Sequence, residues 1–177
     1  IPVPGAELWC TDTGGDGDAI VLLHPATGSA RSWEHQIPTL KAAGFRVLAY
    51  SRRGHEGSSA IDPAHPGTAA GDLAALVDAL GLDRCHLVGS AAGAFTVIDY
   101  AMLHPGRLIS ATVASSFGGF TDPDYRATLD RLLPREFHSL PATFRELGPE
   151  YRAADPAGVK RWEAIERTAR DGPDIRQ

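Results

Sequence analysis

Asp83-Arg84-Cys85-His86-Leu87-Val88-Gly89-Ser90-Ala91-Ala92-Gly93-Ala94-Phe95 decides how this chain is read. An apolar strand runs into a sharp turn and then a helix, with a glycine two residues to either side of position 91. That spacing frames a turn which holds a nucleophilic side chain in strained backbone, where serine is usual at the middle position. Neighbours without a Cβ are required because any side chain there would collide with the adjacent strand or helix. The middle position here is Ala91. Ser90 is no substitute, since a frame centred on it would put Val88 and Ala92 where glycines are needed. The chain has the frame for a nucleophile without a nucleophile in it.

Two further strand ends carry signals. Ala19-Ile20-Val21-Leu22-Leu23 leads into His24-Pro25-Ala26-Thr27-Gly28-Ser29, and Phe45-Arg46-Val47-Leu48-Ala49-Tyr50 leads into Ser51-Arg52-Arg53-Gly54-His55-Glu56-Gly57-Ser58-Ser59. With the turn at 89–93, these resemble the His-Gly loop, the Arg-Gly-His-Gly-x-Ser loop and the nucleophile elbow of the α/β-hydrolase superfamily, specifically its serine hydrolase and esterase branch with a helical cap. The resemblance covers essentially the whole chain. It departs at Pro25 and Glu56, which replace glycines, and at Ala91, which replaces serine.

The pattern of elements agrees with an α/β fold, a mostly parallel sheet with helices on both faces. Strands are expected at 8–13, 19–23, 45–50, 85–88 and 108–114, and helices at 32–43, 68–80 and from the elbow to 103. From about residue 117 helical stretches at 124–133, 141–147 and 159–170 alternate with prolines. The resemblance implies that residues 1–117 form the N-terminal part of the hydrolase core and residues 118–177 an incomplete helical cap. In that family two more strands follow the cap and bring the catalytic acid and histidine. A single-domain member of this class runs to roughly 250 residues. The expectation is therefore that the C-terminal part of the fold is absent from this chain, and that a second segment or chain supplies the catalytic Asp and His. Ile1 in place of an initiating methionine points to a processed or trimmed start.

Bulk composition is that of a globular domain: 177 residues, 43% hydrophobic, 22% charged and a net charge of −5. Mild acidity without a Lys/Arg cluster argues against nucleic acid. No apolar run nears the roughly 20 residues that span a bilayer, and no signal segment opens the chain. A cytoplasmic protein is expected. Cys10 and Cys85 sit in strand-like contexts and read as buried thiols. No His/Asp/Glu group has metal-ligand spacing, so neither metal nor cofactor is expected.

The resemblance assigns Ala91 the nucleophile position, and the backbone N–H groups of Ala26 and Ala92 the oxyanion hole. It places His24, Thr27, Ser90 and Phe117 around the substrate. His24 and His55 read more readily as hydrogen-bonded loop anchors than as functional groups, and His86 as a core residue. The implied activity is cofactor-independent serine hydrolysis of a small or medium apolar carboxylic ester or lactone, in an inactive, substrate-trapping form. Alternatives are a non-catalytic hydrolase-like ligand-binding protein, or a carbon–carbon-bond hydrolase of diketone-like substrates. Ala91 is read either as an engineered replacement or as a natural loss.

Overall fold

The computed structural model describes residues 1–116 and 118–170. Seven strands and seven helices follow one another: β1 (Pro2–Val3), β2 (Ala6–Glu7), β3 (Cys10–Asp12), β4 (Ala19–Leu23), α1 (Gln36–Ala42), β5 (Arg46–Tyr50), α2 (Ala69–Ala79), β6 (Cys85–Ser90), α3 (Ala92–Leu103), β7 (Leu108–Ala114), α4 (Pro123–Leu132), α5 (Ala142–Glu146), α6 (Pro149–Ala154) and α7 (Pro156–Thr168). β1 and β2 form a hairpin, and the remaining strands form one sheet in the order β3-β5-β4-β6-β7. β3 is antiparallel to β5. All other neighbours in that sheet are parallel. Two compact units divide the chain, Ile1–Ser116 with the residues from Ile165 onward, and Phe117–Ala164.

The sheet is covered because its central strands are apolar on both faces. β4 is buried along its whole length. Val21 and Leu23 join Leu48, Tyr50 and Leu87 against Leu73, Leu76 and Val77 of α2 and Val97 and Tyr100 of α3. Ile20 and Leu22 face the other way, with Val47 and Ala49, onto Trp33, Ile37 and Leu40. Alternate side chains of a strand point to opposite faces, so one five-residue run supplies both cores. α2 begins on a Thr68 cap, whose hydroxyl accepts from the Gly71 N–H at 3.0 Å.

Three expectations are corrected. The helix expected over 32–43 is a 3-10 turn at Ala30–Trp33 followed by α1 from Gln36. Pro38 is the reason: it has no N–H to give the Glu34 carbonyl, so it is tolerated in a first turn but not deeper. The strand expected over 8–13 is broken, with pairing confined to Cys10–Asp12 and Leu8 fully buried just ahead of it. His86 is only half-buried and bonds the Ser110 hydroxyl at 2.8 Å, because the covering of that face by α1 ends over β4 and β5.

In the second unit, Asp122 caps α4 by accepting from the Tyr125 N–H at 2.9 Å. The Arg152 guanidinium stacks 4.3 Å above the Phe144 ring. No helix among the described residues is long and apolar enough to cross a membrane.

Candidate active site

The turn between β6 and α3 is tighter than ordinary backbone allows. Ala91 has φ 48° and ψ −108°, one of two non-glycine residues with positive φ among those described. It is held there from both sides: its N–H donates to the Ala114 carbonyl at 2.9 Å, and its own carbonyl accepts from the Ala94 N–H at 3.1 Å. The flanking glycines are required by contact. A Cβ on Gly89 would lie 2.5 Å from the Gly93 carbonyl oxygen, and one on Gly93 only 2.3 Å from that of Leu23. Gly93 thereby presses the head of α3 onto the end of β4 and brings the elbow against the loop that starts at His24.

Strained φ/ψ of this kind costs about 1–3 kcal/mol for a residue with a Cβ. Glycine adopts it freely and loses only about 0.4–1 kcal/mol through a looser unfolded chain. Ala91→Gly is therefore expected to stabilise the protein by about 1 kcal/mol in urea unfolding, opposite to the usual sign for Ala→Gly within a helix. A destabilisation would mean that the turn is relaxed.

The loops after β4 and β5 are tied into one another. His24 is fully buried, and its Nε2 accepts from the Arg52 N–H at 3.0 Å while Nδ1–H donates to the Pro25 carbonyl at 2.7 Å. Both ring nitrogens are occupied, so the ring works as a loop anchor. His55 lies beside it with ring centroids 4.6 Å apart, and its Nδ1–H donates to the Arg53 carbonyl at 3.0 Å. Glu56, in place of a glycine, fits because its backbone needs no positive φ. Its carboxylate accepts from the Ser29 hydroxyl at 2.9 Å and from the Arg31 guanidinium at 3.1 Å. Behind them Arg53 makes a buried bidentate pair with Asp72 of α2, at 2.7 and 2.6 Å.

Burial first, and then the Arg52 charge, hold His55 down at a pKa of about 4 against an ordinary value of 6.5. The same two causes, in the same order, push His24 well below its ordinary range. Below pH 6.5 the unfolded chain takes up protons that these folded rings refuse. Their stability contribution is thus complete above 6.5 and is lost as pH falls toward 4. At about 1.4 kcal/mol per pKa unit, His55 alone removes about 3 kcal/mol over that window. Urea midpoints from pH 7 to 4 should fall steeply in this chain and less steeply in His55→Gln. Parallel slopes would refute the assignment.

The residues expected from sequence fall as follows. Ala26 and Thr27 lie on the loop after β4, Ser90 is the half-buried last residue of β6, and Ala92 opens α3. The first-turn N–H groups of a helix have no partner within the helix, and Ala92 supplies such a group immediately after the elbow. Phe117 lies outside the described residues. Residues that the sequence reading did not single out also join this end of the sheet: Asp72, Ser29, and Arg170, whose Nε–H donates to the Ala26 carbonyl at 3.2 Å. A cleft of about 580 Å³ lined by Asp16, Asp18, Arg46, Asp83 and Arg84 opens at the amino ends of the strands, away from all three motif loops. Among the described residues no group of His, Cys, Asp and Glu is placed to hold a metal ion.

A parallel sheet whose strand ends gather a strained elbow and two interlocked loops defines a hydrolase-type core, and the alpha/beta hydrolase fold family matches residues 18–148. The chain belongs to that family. It is 36% identical over 115 residues to epoxide hydrolase A of Mycobacterium tuberculosis, covering 63% of this chain and 36% of that protein. To the non-heme chloroperoxidase of Streptomyces lividans it is 35% identical over 115 residues, covering 63% of this chain and 42% of that one. Among solved structures, the enol-lactonase from Burkholderia xenovorans LB400 superimposes with a TM-score of 0.73 at 26% identity, over 93% of this chain and 65% of the lactonase. The matches thus span less than half of the two curated relatives and under two thirds of the lactonase.

Proposed function

We propose that Ala91 occupies the nucleophile position of a cofactor-independent serine-type hydrolase of small or medium carboxylic esters or lactones, in a form that binds substrate without turning it over. The observation that carries this reading is the retained strain at Ala91, with both flanking glycines in contact range of neighbouring backbone. A position freed of any need to present a side chain has no reason to keep φ at 48°.

In this mechanism a serine at position 91 would attack the acyl carbon and pass its proton to a histidine oriented by a carboxylate. The Ala26 and Ala92 N–H groups would hold the developing oxyanion, each worth about 3–4 kcal/mol of transition-state stabilisation. None of the described histidines shares a hydrogen bond with residues 89–93 in the structure. Base and acid are accordingly assigned to a second segment or chain.

The test is Ala91→Ser beside the Ala91 form, both in the complete protein that includes the segment supplying base and acid, with p-nitrophenyl esters and lactones, read by release of nitrophenol and by acyl-enzyme mass. An acyl adduct on residue 91 in the serine form alone supports the reading. No adduct, with ligand binding kept in both forms, turns the balance to a non-catalytic binding protein. Similarity to an epoxide hydrolase supports a second reading, in which aspartate is the missing residue. Opening of styrene oxide by Ala91→Asp, and not by Ala91→Ser, would establish it.

A further inference from the structure

Buried polar atoms in a folded protein find partners, and those that do not are informative. Among the described residues three such atoms lie on the loops after β4 and β5: Thr27 Oγ1, Arg52 Nε and His55 Nε2. His55 Nδ1 is committed to the Arg53 carbonyl, so Nε2 presents a lone pair. Arg52 is the costlier case. Arg31, Arg46, Arg53 and Arg107 each pair with a carboxylate. Arg52 has no such pair among the described residues. Its side chain reaches the Pro25 carbonyl at 3.4 Å, while Arg170 approaches the same loop through the Ala26 carbonyl.

Two guanidiniums thus converge on the loop that bears the Ala26 N–H, and the half-buried Arg52 has no carboxylate partner among the described residues. Shielding its Nε–H from water without an acceptor is expensive, because a donor of a charged group is left unsatisfied. Chloride would neutralise Arg52, but only a planar anion uses the fork of a guanidinium in full. Thr27 Oγ1, on the loop after β4, offers a hydroxyl donor, and His55 Nε2 accepts from a water or hydroxyl brought in with the ligand.

We infer that Arg52, with Thr27 and His55, forms a recognition subsite for an ionised carboxylate beside the oxyanion loop, so that the substrate is an ester or lactone carrying a second carboxylate group. This rests on the ester or lactone reading for its reacting group, while the subsite itself can be read by binding alone. The Ala91 form suits the experiment because nothing is consumed. Monomethyl glutarate and dimethyl glutarate differ only in the charged end and are titrated into the chain by calorimetry and by NMR of the guanidinium Nε–H signals.

The half-ester should bind about tenfold or more tighter than the diester, with the Arg52 Nε–H resonance moving at saturation. Arg52→Gln should level the two ligands, and Thr27→Val should weaken the half-ester alone by a smaller factor. Equal affinity, binding of neither ligand, or a preference that survives in Arg52→Gln overturns the proposal and assigns the unpaired atoms to an ordered water only. If Arg52→Gln does not fold, the Nε–H shift in the unaltered chain decides by itself. A missing acyl adduct in the complete Ala91→Ser protein, with half-ester preference intact, would overturn the hydrolase reading and leave this subsite standing.

Discussion

Arg53→Met is expected to lower unfolding free energy by about 3–5 kcal/mol, the loss typical when one partner of a buried ion pair is removed. Arg53 is 2% exposed and Asp72 4%. The guanidinium spends its donors on both Asp72 oxygens and on the carbonyls of Pro4 and His65. One side chain therefore fastens the N-terminal hairpin, the loop after β5 and the first turn of α2. Methionine fills much of the volume but leaves the Asp72 carboxylate buried without its cation. The double variant Arg53→Met/Asp72→Leu should recover most of the loss, because it removes the stranded charge as well as the pair. Urea unfolding of the three proteins measures both. A single-variant loss under about 1 kcal/mol would place the pair among solvent-bridged surface contacts.

Gly93→Ala is the second large effect, with an expected loss of about 3 kcal/mol or more. The added Cβ would meet the Leu23 carbonyl oxygen at 2.3 Å, its carbon at 2.6 Å and the His24 carbonyl oxygen at 2.9 Å. All three are backbone atoms of buried residues at the end of β4 and the start of its loop, so nothing nearby can rotate out of the way. The head of α3 would have to lift from the sheet, carrying position 91 and the Ala92 N–H with it. Gly106→Ala is the matched control. No atom lies within 4 Å of its Cβ and its φ is unexceptional, so that change should stay within about 0.5 kcal/mol. Equal effects at the two sites would show that helix and strand are not in contact.

The elbow was legible in the sequence because its constraint is local: two glycines at fixed spacing around one strained residue leave few other meanings. The parallel sheet was legible because each apolar run ends at a turn signal. The Arg53–Asp72 pair was not, since its partners are 19 residues apart and Asp72 reads as an ordinary acid in the first turn of a helix. Glu56 read as a departure from a glycine pattern, and only the approach of Ser29, 27 residues away, shows that its carboxylate ties the two loops. His86 alternates like a core residue, but alternation cannot show where the cover of a sheet face ends. Pro38 carries its signal openly, but the amphipathic spacing of Trp33, Ile37 and Leu40 runs straight across it.

β7 is the most exposed strand of the main sheet, with Ile109 39% and Val113 44% accessible, and it pairs only with β6 among the described strands. The Ala91 amide hydrogen is bonded to Ala114, the last residue of that strand. Deuterium uptake at this one amide therefore clocks the fraying of the sheet's margin, and any molecule that zips onto β7 will be registered as slower exchange at the elbow itself. Geometry at position 91 is, in that sense, leased from the edge of the sheet.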